Sequence, residues 1–297
     1  MKYLQNFTLP SDGEEGNWLY GNNPRTCYDS IYPFNFFSIE KNLRKVEFDH
    51  ITIFCGSNGS GKTTLLNVIS EKLKLRRNSL FNKTYFFKPF INLCRYKLNE
   101  LETDQKLSFN QNSCIITSDD VFNHIIEVRD QNERLDFKRE LMFKEKARGI
   151  KMPRSIDFGN PESLKEYQDY SLKNNWSASK YVRNKYGVDE RTYSNGENAF
   201  KFFTDSIQAG GLYILDEPEN SLSVEMQMNL VKYIVGMAKF YECQFIISTH
   251  SPFILSIPNA RIYNMDLLPV STCKWSEIPN IRTMFDFFME HKGDLNN

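Results

Sequence analysis

The sequence predicts an α/β fold with a mostly parallel core sheet, on three observations. Short apolar runs recur at Ile51–Cys55, which is rich in β-branched residues, Leu212–Leu215 and Gln244–Ser248. Helical patterns follow them, as from Lys62 onward, where apolar residues fall at 65, 66, 69 and 73. A glycine-rich turn, Gly56–Gly61, separates the first run from its helix. Strands that alternate with helices suggest a parallel sheet, because each parallel crossover needs a connection about as long as a helix.

Taken in order, Tyr3–Leu9 reads as a short strand and Ser11–Pro24 as a polar stretch rich in Gly, Asn and Pro. An aromatic run, Tyr28–Phe37, follows, with packing as its expected job. Ile51–Cys55, apolar and bounded by glycine, reads as a buried strand, and Ser113–Thr117 as another. From Val121 to about Tyr186 the chain becomes strongly charged, with helical patches. This segment, bounded at 121–192 by the next motif, is expected to be a helical lobe inserted into a single domain spanning 1–297. Pro153 and Pro161 interrupt it, which predicts something shorter than a long coiled-coil arm. The core then resumes with Leu212–Leu215, a helix through Met226–Phe240 and the strand Gln244–Ser248.

The chain has 297 residues, enough for a sizeable core, and its 40% hydrophobic and 25% charged content is ordinary for a folded protein. Lysine plus arginine equals aspartate plus glutamate, 37 each, so only a local patch could meet nucleic acid or a membrane. Lys144–Arg154 carries five basic residues against one acid, and Lys72, Lys74, Arg76 and Arg77 form a second cluster. Each reads either as a phosphate-backbone contact or as a solvated helix face. The six cysteines, Cys27, Cys55, Cys94, Cys114, Cys243 and Cys273, form no CxxC pair and have no histidine at zinc-finger spacing. That favours reduced thiols and a cytoplasmic setting. The N-terminus turns polar within ten residues, against a secretory signal, and no apolar run approaches the roughly 20 residues that cross a bilayer.

Gly56-Ser-Asn-Gly-Ser-Gly-Lys-Thr-Thr64 matches GxxxxGK[ST]. Glycines let the backbone wrap a polyphosphate, and successive N–H groups at a helix N-terminus supply positive potential. Ser57, Asn58, Gly59, Ser60, Gly61, Lys62, Thr63 and Thr64 are therefore the candidate phosphate-binding set. Within it, Lys62 reaches the β and γ phosphates, and the Thr63 hydroxyl holds Mg²⁺. Leu212-Tyr-Ile-Leu-Asp-Glu217 is an apolar strand ending in two carboxylates. Beside a phosphate loop, Asp216 suits a metal ligand and Glu217 a general base that polarises water. Alone, the same pair reads as an ordinary strand end.

Together these motifs resemble the nucleotide-binding domains of the ABC-type ATPase superfamily. In that resemblance Tyr193-Ser-Asn-Gly-Glu197 matches the signature motif, Glu219–Ser223 the D-loop, and Ser248-Thr-His-Ser-Pro252 the switch region with His250. It spans roughly Phe48 to Leu255 and implies a P-loop NTPase fold of the ABC type, with ATP and Mg²⁺ as cofactors. It further implies a homodimer in which Ser194 and the Gly196 amide of one copy complete the γ-phosphate site of the other. His250 would contact the γ-phosphate.

The signature departs from the transporter pattern LSGGQ at Tyr193, Asn195 and Glu197. It is similar instead to the SMC-like branch, which includes OLD-type and phage-defence ATPases. That implies a stand-alone ATPase, without a long coiled coil, whose ATP-dependent dimerisation switches an effector encoded nearby, in phage defence or DNA maintenance. The alternative is the nucleotide-binding subunit of a membrane transporter. No glutamine follows the Thr117 strand at the Q-loop position. Ser118-Asp119-Asp120 stands there, either as a Mg²⁺ ligand or as a helix cap, and Gln105 and Gln111 precede the strand. Arg25 or Tyr28 is a candidate contact to the base or phosphates.

Overall fold

The computed structural model describes residues 2–22, 30–100, 109–147, 160–175, 177, 180 and 195–295. The chain divides into two compact units, Met1–Phe122 with Asn195–Asn297, and Asn123–Ser194.

In the first unit, the functional edge is built by a six-stranded sheet. Its strands are β3 (Ile51–Cys55), β5 (Cys114–Thr117), β6 (Gly211–Asp216), β7 (Cys243–Ser248), β8 (Arg261–Asn264) and β9 (Ser271–Thr272). They lie in the order β5-β6-β7-β3-β8-β9, all parallel except β9. Every residue of β3, β6 and β7 is buried. Such continuous apolar runs mark strands covered on both faces. The carboxyl ends of β3, β7 and β6 therefore lie side by side, with the glycine loop after β3, the switch stretch after β7 and the acidic pair at the end of β6.

A second sheet, absent from the sequence reading beyond its first strand, is antiparallel in the order β2-β1-β4. It joins β1 (Leu4–Thr8), β2 (Lys45–Glu47) and β4 (Arg95–Leu98). Gln244, second residue of β7 and wholly buried, ties it to the main sheet. Its Oε1 accepts the N–H groups of Tyr3 (2.8 Å) and Leu4 (2.7 Å), and its Nε2 donates to the carbonyls of Leu4 and Asp49, both at 2.9 Å. All four hydrogen-bonding sites of the amide are filled, as a polar group this deep requires.

The polar stretch Ser11–Pro24 is corrected by the structure: it contains a helix, α1 (Asp12–Asn22). Ser11 and Glu14 form a capping box, with the Ser11 N–H and hydroxyl donating to Glu14 Oε2 at 2.9 Å. Three acids in the first turn favour the positive end of the helix dipole. Trp18 then packs on Phe34 at 5.1 Å, within an aromatic cluster that includes Phe37, Phe86 and Phe90. Capping and one aromatic anchor outweigh three glycines whose helix propensity is poor.

α2 (Lys62–Leu73) follows the glycine loop, and α3 (Phe87–Leu93) packs beside it. The long helix α4 (Ser118–Ala147) begins three residues before the expected lobe boundary. Asp120 Oδ2 accepts the Thr117 N–H (2.8 Å) and hydroxyl (2.9 Å), and its own N–H points back to Thr117 Oγ1. Of the two readings of Ser118–Asp120, this geometry places Asp120 in a helix cap. Thirty residues give α4 a length of about 45 Å, longer than the sequence patches suggest.

α5 (Pro161–Asn175) completes the described part of the second unit's helices. Pro161 stands at its first position, where a missing N–H costs nothing. Pro153, and the basic cluster from Arg148 to Arg154, lie outside the described residues. Returning to the first unit, α6 (Asn195–Ser206) precedes β6, and α7 (Val224–Phe240) connects β6 to β7. Among the described residues, no helix is long and apolar enough to cross a membrane.

Candidate functional site

The loop after β3 folds as the glycine spacing requires. Gly59 and Gly61 have φ of 80° and 96°, and a Cβ on Gly61 would overlap the Phe36 ring. Only glycine satisfies both the left-handed backbone and that close approach. Phe36 belongs to a short π-helical turn, Phe36–Glu40, held from below by Glu15 of α1. Glu15 Oε2 accepts the Asn35 N–H (2.6 Å) and the Ser38 hydroxyl (2.8 Å). Burial raises the pKa of this carboxyl, which those two hydrogen bonds oppose.

One pocket of about 170 Å³ is lined by Asn58, Gly59, Gly61, Lys62, Thr63, Thr64, Glu217 and Tyr32. Drug-sized ligands occupy about 300–1,000 Å³, so this space suits a phosphate chain more than a whole nucleotide. Lys62 is almost wholly buried, and its ammonium donates to the carbonyls of Gly56 (2.9 Å) and Ser57 (3.1 Å). Desolvation pulls its pKa down, while Glu217, Asp266 and Asp216 push the other way. The charged ammonium is thus held among acids with little water around it.

The Thr63 hydroxyl donates to Asp216 Oδ1 at 3.1 Å, and the Ser248 hydroxyl donates to the same oxygen. Burial raises the Asp216 pKa; the Ser248 and Thr63 hydrogen bonds oppose that shift, and neighbouring Glu217 adds to it. Among the described residues, no three His, Cys, Asp or Glu side chains converge on a metal site. A hydroxyl and a carboxylate this close nevertheless fit Mg²⁺, which takes few protein oxygens and completes its shell with water and substrate phosphates. Glu217 has φ of 49°, turning the chain sharply where β6 ends. Its N–H donates to the Ser248 carbonyl at 3.1 Å, and Asn220 Nδ2 donates to its carboxylate at 3.0 Å. His250 Nε2 lies 3.5 Å from Glu217 Oε1, and the His250 N–H donates to Glu219 Oε1 at 2.6 Å.

The remaining candidate residues are placed differently. Ser57 turns away from the pocket, and its N–H and hydroxyl donate to Asp266 at 2.7 and 2.8 Å. Ser60 is buried, and its hydroxyl has no hydrogen-bond partner. Gly196, at the start of α6, packs against Ser221, Ser223 and Met226 rather than against the phosphate loop. Ser194, Arg25, Tyr28 and Gln105 lie outside the described residues.

Two residues were missed by sequence reasoning. Tyr32 lines the pocket, and its hydroxyl donates to Thr64 Oγ1 at 2.5 Å. Asp266 fastens the loop from the end of β8. The aromatic run hinted at Tyr32 without distinguishing it from its packed neighbours. Asp266 follows a strand that carried no motif.

A family described as "AAA domain, putative AbiEii toxin, Type IV TA system" matches residues 69–256, more than half of the chain. The match takes in the acidic pair and the switch stretch, and begins just after the glycine loop. No curated protein matches the sequence. Among solved structures, the chain is similar to the Smc head domain of Pyrococcus furiosus, with an extended coiled coil, bound to the C-terminal domain of ScpA. There the TM-score is 0.44 at 13% identity, covering 96% of this chain and 100% of that one. The dimeric post-hydrolysis ATP-binding cassette MJ0796, bound to ADP and Pi, gives 0.34 at 13%, covering 74% and 83%. A nucleotide-free cassette from an ABC transporter gives 0.38 at 12%, covering 81% and 90%. The architecture is a P-loop NTPase fold with a mostly parallel sheet, and the chain belongs to the AbiEii-like AAA-domain family.

Proposed function

We propose that this protein binds MgATP in the loop after β3 and hydrolyses it between two copies of itself, using the resulting cycle of dimerisation to switch an effector. The carrying observation is the 3.1 Å contact between the Thr63 hydroxyl and Asp216, with Lys62 and Glu217 lining the same pocket. Backbone N–H groups from Asn58 to Thr64 cradle the phosphates, and Lys62 leaves the loop carbonyls for the β and γ oxygens. Thr63 and Asp216 would hold Mg²⁺, which when bound would supply neutralisation of charge on the phosphates. Glu217 takes a proton from the attacking water, and His250 beside it positions that water against the γ-phosphate.

In this reading the chain is one ATPase domain, with a helical lobe, 121–192, inserted ahead of the signature motif. Ser194 and the Gly196 amide of a second copy close the site, so each ATP bridges two copies and its loss loosens them. The effector, and a role in phage defence or DNA maintenance, follow from family likeness. A transporter subunit is the less favoured reading, because the signature departs from LSGGQ and no Q-loop glutamine follows β5.

Glu217→Gln is expected to lower turnover at least 100-fold while retaining ATP. The variant should then elute as an ATP-dependent dimer in gel filtration with light scattering. Unchanged turnover in Glu217→Gln would remove the general-base role.

A further inference from the structure

A basic cleft lies away from the phosphate loop, at the far end of α2. Between positions 72 and 99 the sequence holds eight lysines and arginines and no aspartate or glutamate, in a chain whose formal net charge is zero. The fold gathers part of this run around a concavity of about 630 Å³ between the C-terminal end of α2, α3 and β4. At 1.5 Å per residue, the twelve residues of α2 separate it from the loop by about 18 Å.

The lysines in the cleft divide by what they touch. Lys72 donates to the Ile91 and Asn92 carbonyls at 3.0 and 3.3 Å, which pins α2 to α3. Lys83 pairs with Glu71 at 3.0 Å. Lys74 and Lys88 are exposed on the cleft wall, and neither has an acidic partner among the described residues. Lys74 holds the left-handed position that ends α2, with φ of 55°, where glycine is the usual occupant. Tyr96, 42% exposed, and Phe87 add aromatic surface to the same cleft.

We infer that this cleft binds the phosphodiester backbone of a single-stranded nucleic acid, with Lys74 and Lys88 on phosphates and the Tyr96 ring against a base. Unpaired ammonium groups beside an aromatic face are the combination that single strands use: charge tracks the backbone and stacking tolerates any base. A concave, lysine-walled site suits a chain laid into it. A membrane would favour a protruding apolar tip over basic residues, and an acidic protein would have no need of the exposed ring.

The test is fluorescence anisotropy of the full chain with labelled twelve-nucleotide oligo-dT and oligo-U, titrated across salt. Affinity should fall with salt at a log–log slope of about −1.5 to −2, for two to three phosphate contacts on a single strand. Lys74→Glu with Lys88→Glu should weaken binding at least tenfold, and Lys74→Gln with Lys88→Gln by less, while a fluorescent ATP analogue binds all forms equally. Preference for one oligonucleotide identifies the polymer. Unchanged oligonucleotide affinity in the charge-reversed variant overturns the assignment. So does binding to phosphatidylserine vesicles with none to either oligonucleotide. ATP binding is read separately, so its absence would count against the ATPase reading and leave the cleft to its own result.

Discussion

At the residue scale, the phosphate loop depends on a carboxylate that no motif includes. Glu15 is wholly buried and supports the turn that lays Phe36 on Gly61. Burial raises its pKa, so the folded state holds the proton more tightly than the unfolded chain does. The stability this provides is complete below the ordinary glutamate pKa and is lost as pH rises through the folded value. Glu15→Gln cannot titrate, so its stability should decline less than that of the wild type as pH rises above the ordinary glutamate range. Urea unfolding at a series of pH values reads that difference directly. Asp216 is shifted the same way in both proteins and cancels in the comparison. Identical slopes would mean that Glu15 ionises without cost. The candidate residues around the pocket were legible for a different reason: a tight loop with left-handed turns leaves glycines at fixed spacing, and the acidic pair Asp216-Glu217 ends a continuously apolar strand. Tyr32, Glu15 and Asp266 left no such trace, because one aromatic or one acid serves equally well in many places.

At the scale of elements, β3, β6 and β7 were readable because strands buried on both faces are continuously apolar, and their helices carry a clear 3.6-residue period. The three-stranded sheet was not readable beyond β1. Its members run three to five residues, and β4, Arg-Tyr-Lys-Leu, keeps its side chains mostly outside. What fixes that sheet is a contact 240 residues away in sequence, from Gln244 to Leu4. Gln244→Leu keeps most of the volume but strands two N–H groups and two carbonyls in the interior. Each buried polar group left unpaired costs about 1–3 kcal/mol, and partial relaxation brings the expected loss to about 3–5 kcal/mol. Chemical denaturation measures it. A loss below 1 kcal/mol would show that the two sheets are held by apolar packing alone. α1 was hidden by its composition, since capping and a single tryptophan overrode three glycines.

At the scale of the whole molecule, the pocket holds only half of the proposed machinery. Lys62, Thr63, Asp216, Glu217 and His250 gather at adjacent strand ends, whereas Gly196 lies against Ser221, Ser223 and Met226 and does not line that pocket. In the proposed reading its amide serves the γ-phosphate held by another copy. Mixing two inactive variants tests that reading. Lys62→Ala loses its own phosphate grip but keeps an intact signature. Ser194→Arg keeps the grip but blocks the signature it lends to its partner. In a mixed dimer, one of the two composite sites pairs the intact grip with the intact signature, so ATPase activity should return to about a quarter of the wild-type rate. That value follows from random pairing, which makes half of the dimers mixed with one working site each, provided the two sites act independently. Native mass spectrometry of the same mixture establishes that mixed dimers form. Mixed dimers without recovered activity would mean that each copy works alone, and the signature would then have to be sought as a structural cap on α6.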